Sequence, residues 1–75
     1  MSNIRNIAYI ESFGKNLKKI RISRKLSRET LAAYAGIETM QVYRIETGKV
    51  NTTISTVLVL AKALEVSPKK LFDFE

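Results

Sequence analysis

The 75-residue chain contains no cysteine, no histidine and no tryptophan, and only one proline and three glycines. Absence of cysteine excludes disulfides. Absence of both cysteine and histidine removes the usual nitrogen and sulfur ligands of a structural zinc site. The commonest general base and any thiolate nucleophile go with them. Serines and carboxylates are present, but no glycine-rich phosphate loop or nucleophile elbow accompanies them. The expectation is a protein that is not an enzyme and uses no metal or cofactor. No apolar run approaches the roughly 18 residues that cross a bilayer. Residues 1–10 interleave polar with apolar side chains and have no signal-peptide core. A cytoplasmic protein with no membrane partner fits both observations, and the lack of cysteine agrees with a reducing compartment.

Positive charge is what the chain has in excess. Its net charge is +6, and the whole surplus lies between Ser12 and Thr53. There Lys15, Lys18, Lys19, Arg21, Arg24, Lys25, Arg28, Arg44 and Lys49 are set against only Glu29, Glu38 and Glu46. The ends are neutral. A basic centre is either a solvated face or a polyanion surface, because Lys and Arg release counterions when they neutralise phosphates. So short a chain buries only about 60% of the surface its unfolded form exposes. A partner copy or very regular packing is expected to support it.

Helical periodicity runs through the sequence, and strand signals are weak everywhere. Phe13, Leu17 and Ile20 recur at helical spacing, which predicts a first helix over residues 12–24. Ser27 can cap a second helix with Leu31, Ala32 and Ala35 inside, closed by Gly36 in the left-handed conformation. A third carries Val42 and Ile45 and ends at Gly48. The fourth, over residues 54–64 with Thr53 as its cap, is dense in apolar side chains: Ile54, Val57, Leu58, Leu60, Ala61 and Leu64. It reads as the core helix. Ser67-Pro68 starts a short fifth helix holding Leu71 and Phe72. The predicted fold class is all-α, a compact five-helix domain over residues 12–75. Residues 1–11 form an N-terminal extension in which Ile4, Ile7 and Ile10 permit a helical turn or two. That extension can continue the first helix, cover the core or form an arm.

The stretch from Ser27 to Glu46 is the informative one. Two short helices joined by a tight turn must cross steeply and still touch. Ala32 allows the close approach, Gly36 the reversal, and Leu31, Ala35, Ile37, Val42 and Ile45 the locking contacts. These offsets define a helix-turn-helix, whose second helix enters the DNA major groove. With Val42 and Ile45 inward, Thr39, Met40, Gln41, Tyr43, Arg44 and Thr47 face outward. Arg44 is the natural guanine reader, since its fork matches O6 and N7. Tyr43 suits the sugar-phosphate backbone. Thr47, Lys49, Asn51 and Thr52, with the amide end of the fourth helix, are placed to hold phosphate.

The chain resembles the Cro and phage-repressor type of helix-turn-helix, the Xre family. The matching stretches are Lys19-Ile20-Arg21, Leu26-Ser27-Arg28-Glu29-Thr30-Leu31-Ala32, Ala35-Gly36-Ile37, Arg44-Ile45-Glu46-Thr47-Gly48-Lys49 and Leu60-Ala61-Lys62-Ala63-Leu64-Glu65-Val66-Ser67. That resemblance implies a five-helix repressor-like domain, dimeric binding to a two-fold operator in double-stranded DNA, and transcriptional control. It also implies a partly buried ion pair between Arg21 and Glu46, which removes Arg21 from the DNA contacts. Three positions depart from the pattern. Arg28 stands where glutamine commonly bonds a phosphate, a role arginine can take over with added charge. Glu38 replaces the usual Ser or Thr cap of the recognition helix. Met40 replaces a polar base reader and can make only apolar contacts, such as with a thymine methyl.

A homodimer is expected because one recognition helix reads too few base pairs for a unique site. Its interface is expected away from the basic half, at Pro68, Lys69, Leu71 and Phe74. Leu71 and Phe72 can instead close the monomer core. Cro-like repressors, restriction-modification controllers and antitoxin-type autorepressors all fit, and ligand or toxin regulation would require a second protein chain. The competing reading is a protein-interaction module that reuses the fold without reading DNA, favoured by Glu38 and Met40. A nonspecific polyanion or membrane-surface binder is disfavoured, because an apolar stripe interrupts the Lys15 to Arg28 cluster and no aromatic anchors accompany it.

Overall fold

A computed structural model describes residues 6–75. Its elements are α1 (Ile7–Ser23), α2 (Arg28–Ala35), α3 (Thr39–Glu46), α4 (Ile54–Leu64) and a 3-10 turn (Pro68–Phe72). The described residues contain no strand.

Helix α1 starts at Ile7, earlier than the Ser12 start predicted from periodicity. Asn6 is the cause: its side-chain oxygen accepts from the Tyr9 amide at 3.0 Å and caps the helix there. The boundary between residues 11 and 12 therefore falls inside a continuous helix, and Ile7 and Ile10 belong to α1. Ile4 lies outside the described residues.

Local signals fix the next three elements. The Ser27 hydroxyl accepts from the Thr30 amide and starts α2. Gly36, at φ 74°, closes it in the left-handed region. Glu38 precedes α3 but makes no side-chain cap bond. Thr53 caps α4 through the Thr56 amide.

The short fifth element is of 3-10 rather than α type. It is held by 3-10 type bonds, Lys70 N–H to Ser67 and Asp73 N–H to Lys70. Two of its carbonyls are also drawn to α1: the Asn16 amide nitrogen donates to Lys70 O at 3.0 Å and Leu71 O at 2.8 Å. Asn16 thus pins the C-terminal segment across α1 and seats Leu71 in the core.

Phe13, Leu17, Ile20, Leu31, Val42, Ile45, Leu60, Leu64 and Leu71 form one buried cluster. Two expectations fail here. Leu71 is fully buried, so it cannot serve a dimer surface. Ile54 and Leu58, assigned to the core, are 88% and 43% exposed. They lie one turn apart in the first half of α4, whose buried residues are Val57, Leu60, Ala61 and Leu64. Phe72 is exposed but its ring meets Phe13 at 4.9 Å, and half-buried Phe74 meets Tyr9 at 5.0 Å. The C-terminal segment is thereby clipped to α1 by aromatic pairs.

Helix α1 crosses the end of α3 closely. Gly14 is buried there, with the Ile45 and Glu46 carbonyls where a side chain would begin. That crossing fixes where the last turn of α3 sits, and with it the carboxylate of Glu46.

Candidate nucleic-acid interface

Helix α3 is two-faced. Val42, Ile45 and Glu46 are buried, while Thr39, Met40, Tyr43, Arg44 and Thr47 are exposed on the opposite arc. Gln41 is half-buried at the edge of that arc. The tight turn at Gly36 packs α2 against α3 and leaves this arc open to solvent. Met40 is 52% exposed and Tyr43 40%, enough apolar surface to meet a thymine methyl or a sugar.

An ionic cluster ties the helix-turn-helix to α1. Both Glu46 oxygens are inaccessible to solvent. Oε2 accepts from Arg21 Nε at 2.6 Å; Oε1 accepts from Arg21 Nη2 at 3.1 Å and from Arg28 Nε at 2.9 Å. Arg21 completes its bonding through Nη1 to the Leu26 carbonyl at 2.8 Å. No buried side-chain polar atom among the described residues lacks a partner. Arg21 is therefore held inside, one carboxylate binds two guanidiniums, and the cluster keeps one net positive charge. Arg28 carries it: its side chain is 32% exposed, and its guanidinium lies 5.4 Å from the centre of the Tyr43 ring.

The loop after α3 holds the remaining site residues. Lys49 and Asn51 are exposed and Thr52 is half-buried. Thr47 is also exposed, but its hydroxyl donates to the Tyr43 carbonyl at 2.8 Å and so closes α3. The residues chosen from sequence thus fall into two groups, the α3 arc with Arg28 and the loop leading to α4. Sequence reasoning missed Gly14, which positions the end of α3 from α1, and Asn16, which holds the C-terminal segment. It also missed the Arg28–Glu46 bond, since it took Arg28 only as a phosphate contact.

Fold and site together define a helix-turn-helix DNA-binding domain. The helix-turn-helix family profile matches residues 17–71, and the chain belongs to that family. It is similar to the control protein C.SmaI of Serratia marcescens, at 36% identity over 61 residues, 81% of this chain and 73% of the relative. It is 40% identical over 58 residues to the helix-turn-helix transcriptional repressor RghR of Bacillus subtilis, covering 76% of this chain but only 43% of the repressor. Among solved structures, the restriction-modification controller protein C.AhdI of Aeromonas hydrophila superposes with a TM-score of 0.86 at 37% identity, over 87% of this chain and 98% of that one. No helix among the described residues is long and apolar enough to cross a membrane.

Proposed function

We propose that this protein is a sequence-specific transcriptional regulator of the restriction-modification controller kind, binding a two-fold operator as a homodimer. The observation that carries the reading is the exposed arc of α3, with Arg44 and Met40 outward over a buried Val42–Ile45 face. In this arrangement α3 lies in the major groove, Arg44 reads a guanine, and Thr39, Met40 and Gln41 meet neighbouring bases. Arg28, Tyr43, Lys49, Asn51 and Thr52 hold the backbone. Thr47 acts mainly by closing α3. Selection of binding sites from random duplexes tests the reading. It should return a two-fold sequence with half-sites about one helical turn apart, near 34–36 Å. Failure to enrich any sequence would favour the interaction-module reading, for which the uncapped Glu38 and exposed Met40 are the supporting features.

Base reading has its own signature. Arg44→Ala is expected to relax specificity at one guanine per half-site, by about 1–3 kcal/mol. Titration against site variants checks it: uniform weakening over all sequences would make Arg44 a phosphate contact.

For the dimer we propose the outer face of α4. Ile54 and Leu58 are apolar, one turn apart and exposed, outside the net-positive stretch of the chain. Pro68 and Lys69 are exposed as well, whereas Leu71 is internal and Phe74 is engaged by Tyr9. Replacing both Ile54 and Leu58 by serine should shift sedimentation equilibrium from dimer to monomer, with helical content unchanged. A dimer that survives the double change would move the interface elsewhere.

A further inference from the structure

The bond between Glu46 and Arg28 is additional to a pairing that already satisfies both carboxylate oxygens. Arg21 already supplies a bidentate partner to the carboxylate and reaches the Leu26 carbonyl as well. Arg28 stands at the first position of α2, on the surface side of the cluster, and gives Glu46 only its Nε. Among the described residues its two terminal nitrogens have no hydrogen-bond partner, and one face of the guanidinium lies against Tyr43. Glu46 and Tyr43 thus restrain the group from two sides and leave its terminal nitrogens available to a ligand. An arginine on the surface otherwise loses rotamer entropy when it is immobilised on a ligand.

We propose that Glu46, through Arg28, is a positioning residue for DNA binding: the buried carboxylate and the Tyr43 ring preset the Arg28 guanidinium to clamp one backbone phosphate with its two terminal amines. This deepens the DNA-binding reading above and rests on it. The arrangement couples α1, the start of α2 and the end of α3 at a single carboxylate. The phosphate contact is thereby held in register with the base-reading residues Met40 and Arg44 on α3.

Electrostatics alone and positioning predict opposite results. Glu46→Gln makes the protein more positive by one charge, which on charge alone should strengthen binding to any duplex. Preset geometry predicts the reverse, because the amide cannot hold two guanidiniums. Arg28→Lys keeps the charge, sits at the surface and leaves the Arg21–Glu46 pair intact, so it folds even where Glu46→Gln does not. The experiment measures binding of wild type, Arg28→Lys, Arg28→Ala and Glu46→Gln to selected and random duplexes over a salt series, with helical content monitored.

Arg28→Lys is expected to bind both duplexes about tenfold more weakly with the salt slope unchanged, since a lysine can neither bond through Nε nor fork onto a phosphate. Arg28→Ala should lose the same affinity and also lower the slope by about one unit. Where it folds, Glu46→Gln should bind more weakly than wild type despite its extra charge. Arg28→Lys binding as wild type does, or a folded Glu46→Gln binding more tightly, overturns the positioning role. Wild type that binds no duplex sinks the DNA-binding reading itself, a different failure.

Discussion

Gly14→Ala should lower the stability of this domain by about 3 kcal/mol or more, the upper end of what overpacking costs or beyond it. In an ordinary helix interior the same change stabilises by about 1 kcal/mol, because alanine is the best helix former and glycine among the worst. The sign reverses here because of what the new carbon meets. It would fall well inside van der Waals contact distance of the Ile45 carbonyl oxygen, and 2.8 Å from the oxygen and 2.9 Å from the carbon of the Glu46 carbonyl. Those atoms are backbone, so no rotamer change can move them aside. Relief requires α1 to lift off the end of α3, which opens the Phe13–Ile45 side of the core. A domain of this length has only about 4–11 kcal/mol in total. Thermal unfolding followed by circular dichroism decides the matter. A midpoint equal to or above wild type would mean that the two helices are not in contact at Gly14. Where the variant folds at all, the displaced last turn of α3 should also weaken DNA binding through Glu46.

What could be read from the sequence divides along a physical line. Features decided within a few residues were legible: the Ser27 cap, the Gly36 reversal, the Thr53 cap and the inward stripe of α2 and α3. The Asn6 cap was equally local, followed by apolar residues at 10, 13 and 17, but the three-residue spacing of Ile4, Ile7 and Ile10 obscured it. Features decided by contacts between distant segments were not legible. A helix apolar on nearly all sides, like α4, does not say which side its neighbours cover, so exposed Ile54 and Leu58 read like core residues. Gly14 reads as a weak helix position until α3 is laid across it. Asn16 gives no sign of its two carbonyl partners, 54 and 55 residues away. The ionic cluster lies between these cases. Resemblance to a family supplied the Arg21–Glu46 pairing, and only the fold added Arg28, 18 residues from Glu46, as its third member.

Glu46→Ala should destabilise the fold by roughly 3–5 kcal/mol, the range for removing one partner of a buried ion pair. Three N–H groups, two from Arg21 and one from Arg28, lose their acceptor in one step. Arg28 can turn to water, because a third of its side chain is already exposed. Arg21 cannot: its side chain is 9% exposed, and its remaining bond is to the Leu26 carbonyl. The cost therefore comes from a guanidinium left buried and unpaired, and it should be recovered by removing that charge. Arg21→Met combined with Glu46→Leu should lie close to wild type, since replacing a buried pair by apolar residues of similar volume is often neutral or stabilising. An exposed pair would be worth under about 1 kcal/mol and would show neither effect. Urea unfolding of wild type, the single variant and the double variant separates the possibilities. A midpoint for Glu46→Ala within error of wild type would place the pair at the surface. The double variant carries a further consequence. It keeps a stable core but leaves Arg28 without its anchor, so it should fold like wild type and still bind DNA more weakly. Stability and phosphate positioning, joined at one carboxylate in the native protein, would then be measured apart.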